Sequence, residues 1–295
     1  MNISVIVPSI GKKTFLLRAL KSLENQEKKI DELILIFDIQ ENETTDEVKS
    51  FLESSHLNHK ILFTEGSKGG SFARNLGIKE SSNEIIMFLD EDDYWDPKKT
   101  LIQSESFKDQ KCILSFTSRK IVSNKKLEKT LRTVLVTFNG IAFPKIMYKN
   151  IVGITSTVAA RKKELIKAGL FDEKMPCRQD YDLWIRMSAL GNFHGISDPL
   201  TTYTVFDDLS QVSSKYKNHI LAAERLIFKH KDLVKKHSVN NRLFKSEKWF
   251  AVAKSARRTG FFKALPFVLR SFILFPRISY LILFLPNFAY KRLGV

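Results

Sequence analysis

The chain has 295 residues, 43% of them hydrophobic, an ordinary composition for a globular protein, and its length accommodates one large domain with an extension or two small ones. Its two cysteines, Cys112 and Cys177, lie far apart in no metal-binding spacing, which excludes a cysteine-held zinc and reads as reduced thiols in a cytosolic protein. The net charge of +16 is concentrated: residues 211–295 hold 18 Lys and Arg against three acids, whereas residues 1–210 hold 30 against 29. The acid-bearing part is therefore balanced, and the basic block points to an anionic surface, either membrane or nucleic acid.

No secretory signal pattern precedes the first strand, read at residues 3–7. A helix is expected at 14–25, with Leu16, Leu17, Leu20 and Leu23 on one face. An apolar strand at 33–37 ends at Asp38 and leads into a helix at 45–52. A strand at 60–63 is followed by a glycine-rich turn, Gly66 to Gly70, and a helix at 71–79. That turn lacks both the Gly-Lys-Ser/Thr ending of a P-loop and the spacing of a dinucleotide fold. Four βα units in a row predict an α/β fold with a parallel, doubly wound sheet.

The fourth strand, 85–89, delivers four consecutive acids: Asp90, Glu91, Asp92 and Asp93. Ligands of open α/β sheets sit at the carboxyl ends of strands. Clustered carboxylates repel unless a cation or a hydrogen-bond network offsets them. The tetrad thus reads either as a holder of a divalent metal carrying diphosphate oxygens or as an acidic turn before the helix that follows Pro97.

Downstream, a helix is expected at 97–108 and strands at 112–117 and 133–138, with a lysine-rich turn between them at 124–129. A short strand at 155–160, a helix at 161–168 capped by Gly169, an amphipathic helix at 179–190 and a strand at 199–206 complete this part. Basic helical patterns follow at 217–237 and 241–258, then an apolar, aromatic stretch at 261–290. Its longest uncharged run, 278–290, is 13 residues, short of the roughly 20 that span a bilayer. Leucines and aromatics interleaved with Arg257, Arg258, Lys263, Arg270, Arg277, Lys291 and Arg292 fit an interfacial segment on anionic lipid, or a helical appendage packed on protein.

Six segments together resemble the family-2 glycosyltransferases of GT-A fold, over roughly residues 1–206. Ser4-Val5-Ile6-Val7-Pro8-Ser9 is similar to the family's first strand, and Glu32 to Asp38 to its second. Gly70-Ser71-Phe72-Ala73-Arg74-Asn75-Leu76-Gly77 resembles its Ala-Arg-Asn-x-Gly segment, and Phe88 to Asp93 its Asp-x-Asp motif. Gly169-Leu170-Phe171-Asp172-Glu173 and Gln179-Asp180-Tyr181-Asp182-Leu183-Trp184 resemble its two acceptor-side patterns. Three positions depart: Phe37 replaces the first of two adjacent aspartates, Gln179 stands where an acid is usual, and Phe206 stands where a histidine is common.

The resemblance implies a GT-A (Rossmann-like) nucleotide-diphospho-sugar transferase fold with a mostly parallel central sheet, a catalytic domain at 1–210 and a basic helical extension at 211–295. It implies a nucleotide-sugar site of Pro8, Ser9, Asp38, Gly70, Arg74, Asn75, Asp90 and Glu91, with Asp38 toward uracil. It places Mn²⁺ or Mg²⁺ on Asp92 with Asp90, and the base on Asp180. Gln179 and Trp184 fall on the acceptor side, Trp184 as a wall for a sugar or, equally, as core. Asp38 and Asp180 also have plainer readings, as a turn acid and an N-cap.

The expected activity is inverting transfer from a UDP-sugar to a hydroxyl of a saccharide, lipid-linked at the cytoplasmic face of a membrane, in surface-polysaccharide assembly. Peripheral attachment to an anionic membrane surface follows from the C-terminal block. The competing readings are a non-catalytic nucleic-acid- or anionic-surface-binding protein on a nucleotide-binding core, and a nucleotidyltransferase. No nucleic-acid-binding signature appears, so no nucleic acid is expected as partner.

Overall fold

The computed structural model describes residues 1–64, 66–206 and 215–284. The strands in chain order are β1 (Ile3–Ser9), β2 (Glu32–Phe37), β3 (His59–Phe63), β4 (Ile85–Phe88), β5 (Tyr94–Trp95), β6 (Cys112–Ser123), β7 (Lys126–Val134), β8 (Asn139–Gly140), β9 (Val158–Arg161) and β10 (Asn192–Val205). The first helices are α1 (Lys13–Glu24), α2 (Glu43–Ser54), α3 (Gly70–Glu80), α4 (Lys99–Glu105), α5 (Lys145–Tyr148) and α6 (Lys162–Lys167). They are followed by α7 (Gln179–Met187), α8 (Tyr216–Lys229), α9 (Lys231–Lys236), α10 (Asn241–Thr259) and α11 (Phe261–Leu274). The chain forms two compact units, the first made of Met1–Ala142, Ile151–Glu173 and Leu183–Val205, the second of Phe143–Asn150, Lys174–Asp182 and the residues from Phe206 on.

The first unit contains every strand named above, in the order β3-β2-β1-β4-β9-β6-β10-β5, with β7 paired to β6 and β8 to β10. β1, β2, β3 and β4 are parallel, and their near-continuous apolar runs suit strands covered on both faces. β9 runs antiparallel between β4 and β6, and β10 returns parallel to β6. The chain leaves β1 toward β2 and β3 on one side and comes back as β4 on the other. Such a reversal of strand order marks the carboxyl ends of β1 and β4 as the place where sheets of this kind bind ligands.

Local sequence explains the flanking helices. In α1 the buried residues are Leu16, Ala19, Leu20 and Leu23, a stripe at helical spacing that lies on the sheet. α2 starts with a capping box in which Asn42 and Thr45 satisfy each other's backbone donors. α3 approaches the sheet so closely that a Cβ on Gly77 would stand 2.6 Å from Ile6 Cγ2 and 3.0 Å from Ile36 Cδ1.

Two expectations are corrected here. The lysine-rich stretch at 124–129 is not a turn: the reversal takes place at Asn124 and Lys125, and β7 runs from Lys126 to Val134. Its residues are mostly exposed, and an outer strand of charged residues carries no apolar alternation to mark it. The single helix expected at 217–237 is broken at His230, whose ring is buried against Asp182 at 2.9 Å.

In the second unit α10 packs between α8 and α11, with Trp249 stacked on Phe267 at 6.1 Å between ring centres. Tyr280 is buried and shares a 2.7 Å hydrogen bond with Ser246. α11 presents Ala264, Val268 and Ser271 inward, while Phe262, Ile273 and Ile278 stay 82%, 74% and 86% exposed. The stretch 261–284 therefore packs on protein along one face and leaves large apolar side chains on another. Residues 285–295, with Lys291 and Arg292, lie outside the described residues. No helix among the described residues is long and apolar enough to cross a membrane.

Gly77→Ala should destabilise the fold by about 1–3 kcal/mol, the usual cost of forcing a methyl into a packed interior. Urea unfolding of the two proteins measures it, and an unchanged midpoint would refute the close approach.

Candidate active site

β4 ends by donating from the Leu89 backbone to Ile6 at 3.0 Å, and the four acids then point alternately inward and outward. Glu91 turns in. It is buried and accepts hydrogen bonds from Ser9 Oγ at 2.6 Å and from the backbone N–H groups of Ile10 and Lys12 at 3.2 Å each. Asp93 also turns in, with no exposed surface, and accepts from Ser156 Oγ at 2.6 Å and Thr204 N at 3.0 Å. Asp90 and Asp92 keep 28% and 16% of their side chains exposed. Asp90 pairs with the Arg74 guanidinium and accepts from Thr155 Oγ1 at 3.2 Å. Asp92 has Lys12 Nζ at 3.7 Å.

Burial dominates the titration of this loop. It pushes Asp92 up to about 6, with repulsion from Asp90 as the next cause. Burial raises Asp93 well above the usual carboxylate range, reinforced by Asp92 and Asp90. Glu91 is raised by burial too, against the hydrogen bonds from Ser9 and the Lys12 backbone.

The glycine turn owes its shape to Asp38. One carboxylate oxygen accepts from Lys68 N at 2.9 Å and from the Thr64 hydroxyl, and the other from Gly69 N at 2.7 Å. Gly69, at φ 89°, sits in the left-handed region that favours glycine. Ser9 accepts on its carbonyl from Asp38 N at 2.8 Å, so the ends of β1 and β2 are tied together; Pro8 is half-buried beside it in the strand. Gly70 opens α3, and a Cβ there would meet Arg74 Nη1 at 2.9 Å.

Asn75 calls for a correction. It is buried, and its amide bonds the Phe171 backbone in both directions at 2.9 Å and Glu173 Oε1 at 2.8 Å. Both amide hydrogens are spent, so Asn75 clamps the 171–173 loop and has no donor left for a nucleotide. Glu91 is corrected likewise, since its carboxylate fixes the loop after β1. Trp184 is the third correction. It has no exposed surface and packs edge-on to Phe171 at 6.1 Å, so it is core and cannot form a wall for a sugar.

Gln179 and Asp180 begin α7 and belong, up to Asp182, to the second unit. Both are half-buried, and Asp180 Oδ1 accepts from Tyr181 N at 2.7 Å. The preceding residue, Arg178, has φ 58°, a left-handed backbone on a non-glycine residue. Such strain persists only where surroundings impose it: Arg178 Nε donates to His219 Nδ1 at 3.0 Å. Two residues beyond Asp180, the fully buried Asp182 accepts from Lys229 Nζ at 2.7 Å and faces His230 Nε2 at 2.9 Å. The start of α7 is thus pinned from both sides.

Two residues that anchor the acid loop from elsewhere in the chain carry no mark in the sequence motifs. Ser156 binds Asp93, takes a hydrogen bond from Asp90 N at 3.1 Å and accepts from Trp95 Nε1 at 3.0 Å; nothing local marks it. Arg18 donates to the Asp92 carbonyl and to Thr204 Oγ1 at 3.0 Å, between the rings of Phe15 and Tyr94 at 5.1 and 4.6 Å. Its Nε and Nη1 are buried without a partner among the described residues. An arginine inside the leucine-rich stretch of α1 was the available signal.

No group of three or more His, Cys, Asp or Glu side chains gathers to hold a metal among the described residues. Asp90 and Asp92 fit a divalent cation as two carboxylates that keep exposed surface at the end of β4, in a shell that substrate phosphates would complete.

The model of glycosyl transferase family 2 matches residues 4–170. An uncharacterized glycosyltransferase of Rickettsia bellii is 28% identical over 208 residues, 70% of this chain but 29% of that protein, so the chain corresponds to under a third of that relative. The putative teichuronic acid biosynthesis glycosyltransferase TuaG of Bacillus subtilis is 22% identical over 80% of this chain and 89% of its own. Among solved structures, S. aureus TarS 1–349 with UDP-GlcNAc superposes with a TM-score of 0.62 at 19% identity, over 100% of this chain and 92% of that one. The mannosyltransferase PcManGT of Pyrobaculum calidifontis, solved with GDP-Man and Mn²⁺, gives 0.59 at 13% identity, over 95% and 81%. These likenesses show the GT-A fold expected above.

Asp92 holds its proton more tightly folded than unfolded, where its value is 3.8. Stability should therefore fall as pH rises from about 4 to about 6, by up to roughly 3 kcal/mol from this group, and Asp93 carries the fall further upward. Asp92→Asn should flatten that part of the profile in denaturation series between pH 4 and 7. A slope identical to wild type would refute the assignment.

Proposed function

Because the chain belongs to glycosyl transferase family 2, we propose that it moves a sugar from a UDP-sugar to a hydroxyl of a saccharide acceptor, with inversion at the anomeric carbon. The observation that carries this reading is the sorting of the four acids at the end of β4. Glu91 and Asp93 are consumed by the fold, which leaves Asp90 and Asp92 as the carboxylates with surface at the strand-order reversal. A divalent cation held by that pair would offset the charge that develops on the leaving diphosphate. Arg74 and Lys12, already beside these acids, would add positive charge for the same oxygens. Ser9 and Asp38 would frame the nucleotide at the ends of β1 and β2.

Asp180 is the proposed base. Its carboxylate would take the proton of the acceptor hydroxyl as that oxygen bonds to the anomeric carbon and the carbon–phosphate oxygen bond breaks. No covalent enzyme intermediate forms, so the configuration inverts. The pinning of α7 by Asp182 supports this role, since a base must be held against the hydroxyl it serves.

The setting is surface-polysaccharide assembly, in keeping with the teichuronic acid relative, on a lipid-linked acceptor at the cytoplasmic face of a membrane. The exposed Phe262, Ile273 and Ile278, with exposed Lys263, Arg270 and Arg277 nearby in sequence, support a peripheral hold on anionic lipid.

With a panel of UDP-sugars, wild-type protein should release UDP from one donor in Mn²⁺ and stop in EDTA; release that survives EDTA would refute the metal role. With acceptor present, Asp180→Asn should lower turnover by about 10²- to 10⁴-fold, the range for loss of a general base. Asp92→Asn should abolish the rise in melting temperature that Mn²⁺ with UDP gives the wild type.

A further inference from the structure

The second unit contains a groove of about 1350 Å³ between α8, α9, α10 and α11. Its walls are apolar: Ile227 and Phe228 from α8, Trp249 from α10, and Leu269 and Ile273 from α11. Phe228, Leu269 and Ile273 are 71%, 50% and 74% exposed, an unusual outlay of large side chains on a surface. The same groove is lined by Lys231, Lys235, Lys245 and Arg270, against the single acid Glu224. None of these four cations forms an ion pair among the described residues. Two are occupied with rings instead: Arg270 lies 3.6 Å from the centre of Trp249, and Lys231 4.7 Å from that of Phe228.

Apolar walls call for a hydrocarbon, and unneutralised cations on the same walls call for an anion on that hydrocarbon. An acidic peptide would satisfy the charges and waste the depth, and a neutral lipid the reverse. Four cations against one acid leave an excess of positive charge, ample for the one or two negative charges of a lipid phosphate. We propose that this groove is a binding site for a single lipid phosphate, its isoprenyl or alkyl chain along Phe228, Leu269 and Ile273 and its phosphate between Lys231, Lys235, Lys245 and Arg270. The site deepens the lipid-linked acceptor reading and rests on it for its purpose; the binding itself needs no donor. It is also distinct from adsorption to a bilayer, because the proposed occupant is a lipid monomer bound one at a time.

The full chain is titrated with farnesyl phosphate below its micelle concentration, with farnesol and with inorganic phosphate, following tryptophan emission. Trp249 lines the groove, whereas Trp95 and Trp184 are buried in the first unit. Farnesyl phosphate should change the emission saturably as phosphate draws Arg270 off the ring, farnesol should bind at least about tenfold more weakly, and phosphate alone should be silent. The change should vanish in Trp249→Phe. Lys231→Glu with Lys235→Glu, both on exposed positions, should weaken binding by about tenfold or more while leaving the melting temperature and UDP release intact. No saturable response, an equal response to inorganic phosphate, or an unchanged double variant would overturn the proposal. So would sedimentation showing that a second copy of the chain closes the groove and blocks the response. UDP release absent with the groove response intact would instead mark failure of the donor reading alone.

Discussion

The geometry of the candidate site depends on one electrostatic problem and its solution: four consecutive carboxylates at the end of a buried strand. Left together they would repel, and burial makes each ionised form costlier. The fold answers with a turn, closed by Asp93 N donating to the Asp90 carbonyl at 3.0 Å, that sends two acids inward and two outward. Glu91 is drawn under the loop after β1, where one hydroxyl and two backbone N–H groups meet it, and Asp93 is drawn under Ser156 and Thr204. Those anchors hold Asp90 and Asp92 at the surface beside two cations. Burial first, and the repulsion that remains within the cluster second, raise both Asp92 and Asp93.

The same division of labour recurs along the sheet edge. Asp38 spends its oxygens on the glycine turn, Asn75 its amide on the Phe171–Glu173 loop, and Ser9 its hydroxyl and carbonyl on Glu91 and Asp38. Each is a polar residue buried because its partners are supplied, as buried polar groups require. The result is a rigid rim built from side chains whose first task is to shape backbone. Preorganisation of this kind is what an enzyme needs where charge moves during reaction.

The second unit uses charge differently. Lys248 is buried, bonded to the Met147 carbonyl and the Tyr181 hydroxyl, and burial lowers it well below the usual lysine range. Asp182 is fully buried with Lys229 and His230. Breaking such pairs strands a charge in the interior, at a cost of about 3–5 kcal/mol. They fix the start of α7 and the break between α8 and α9, which no helical periodicity foretold. Beside them lies a groove whose cations are left unneutralised. Among the described residues of 211–295, some cations are thus absorbed by the interior, as Lys248 and Lys229 are, and others line the groove.

Much was legible in the residues alone. Short apolar runs and period-3.6 patterns located β1 to β4 and α1 to α3, because strands covered on both faces must be apolar and helices on a sheet must carry a stripe. The acid run marked the end of β4 as the candidate site. What the sequence could not decide was which of four adjacent acids faces in, since that depends on Ser156 and Thr204, 63 and 111 residues away in the chain. Nor could it tell that Asn75 is a clamp and Trp184 core, because a side chain's partners are set by packing and not by its type. It missed β7, whose exposed, charged residues satisfy their backbone on β6 alone. Local pattern determined most of the elements of the sheet and the place of the candidate site. Only tertiary contacts, which supply or withhold a hydrogen-bond partner for each buried polar group, decided which residues are left to act.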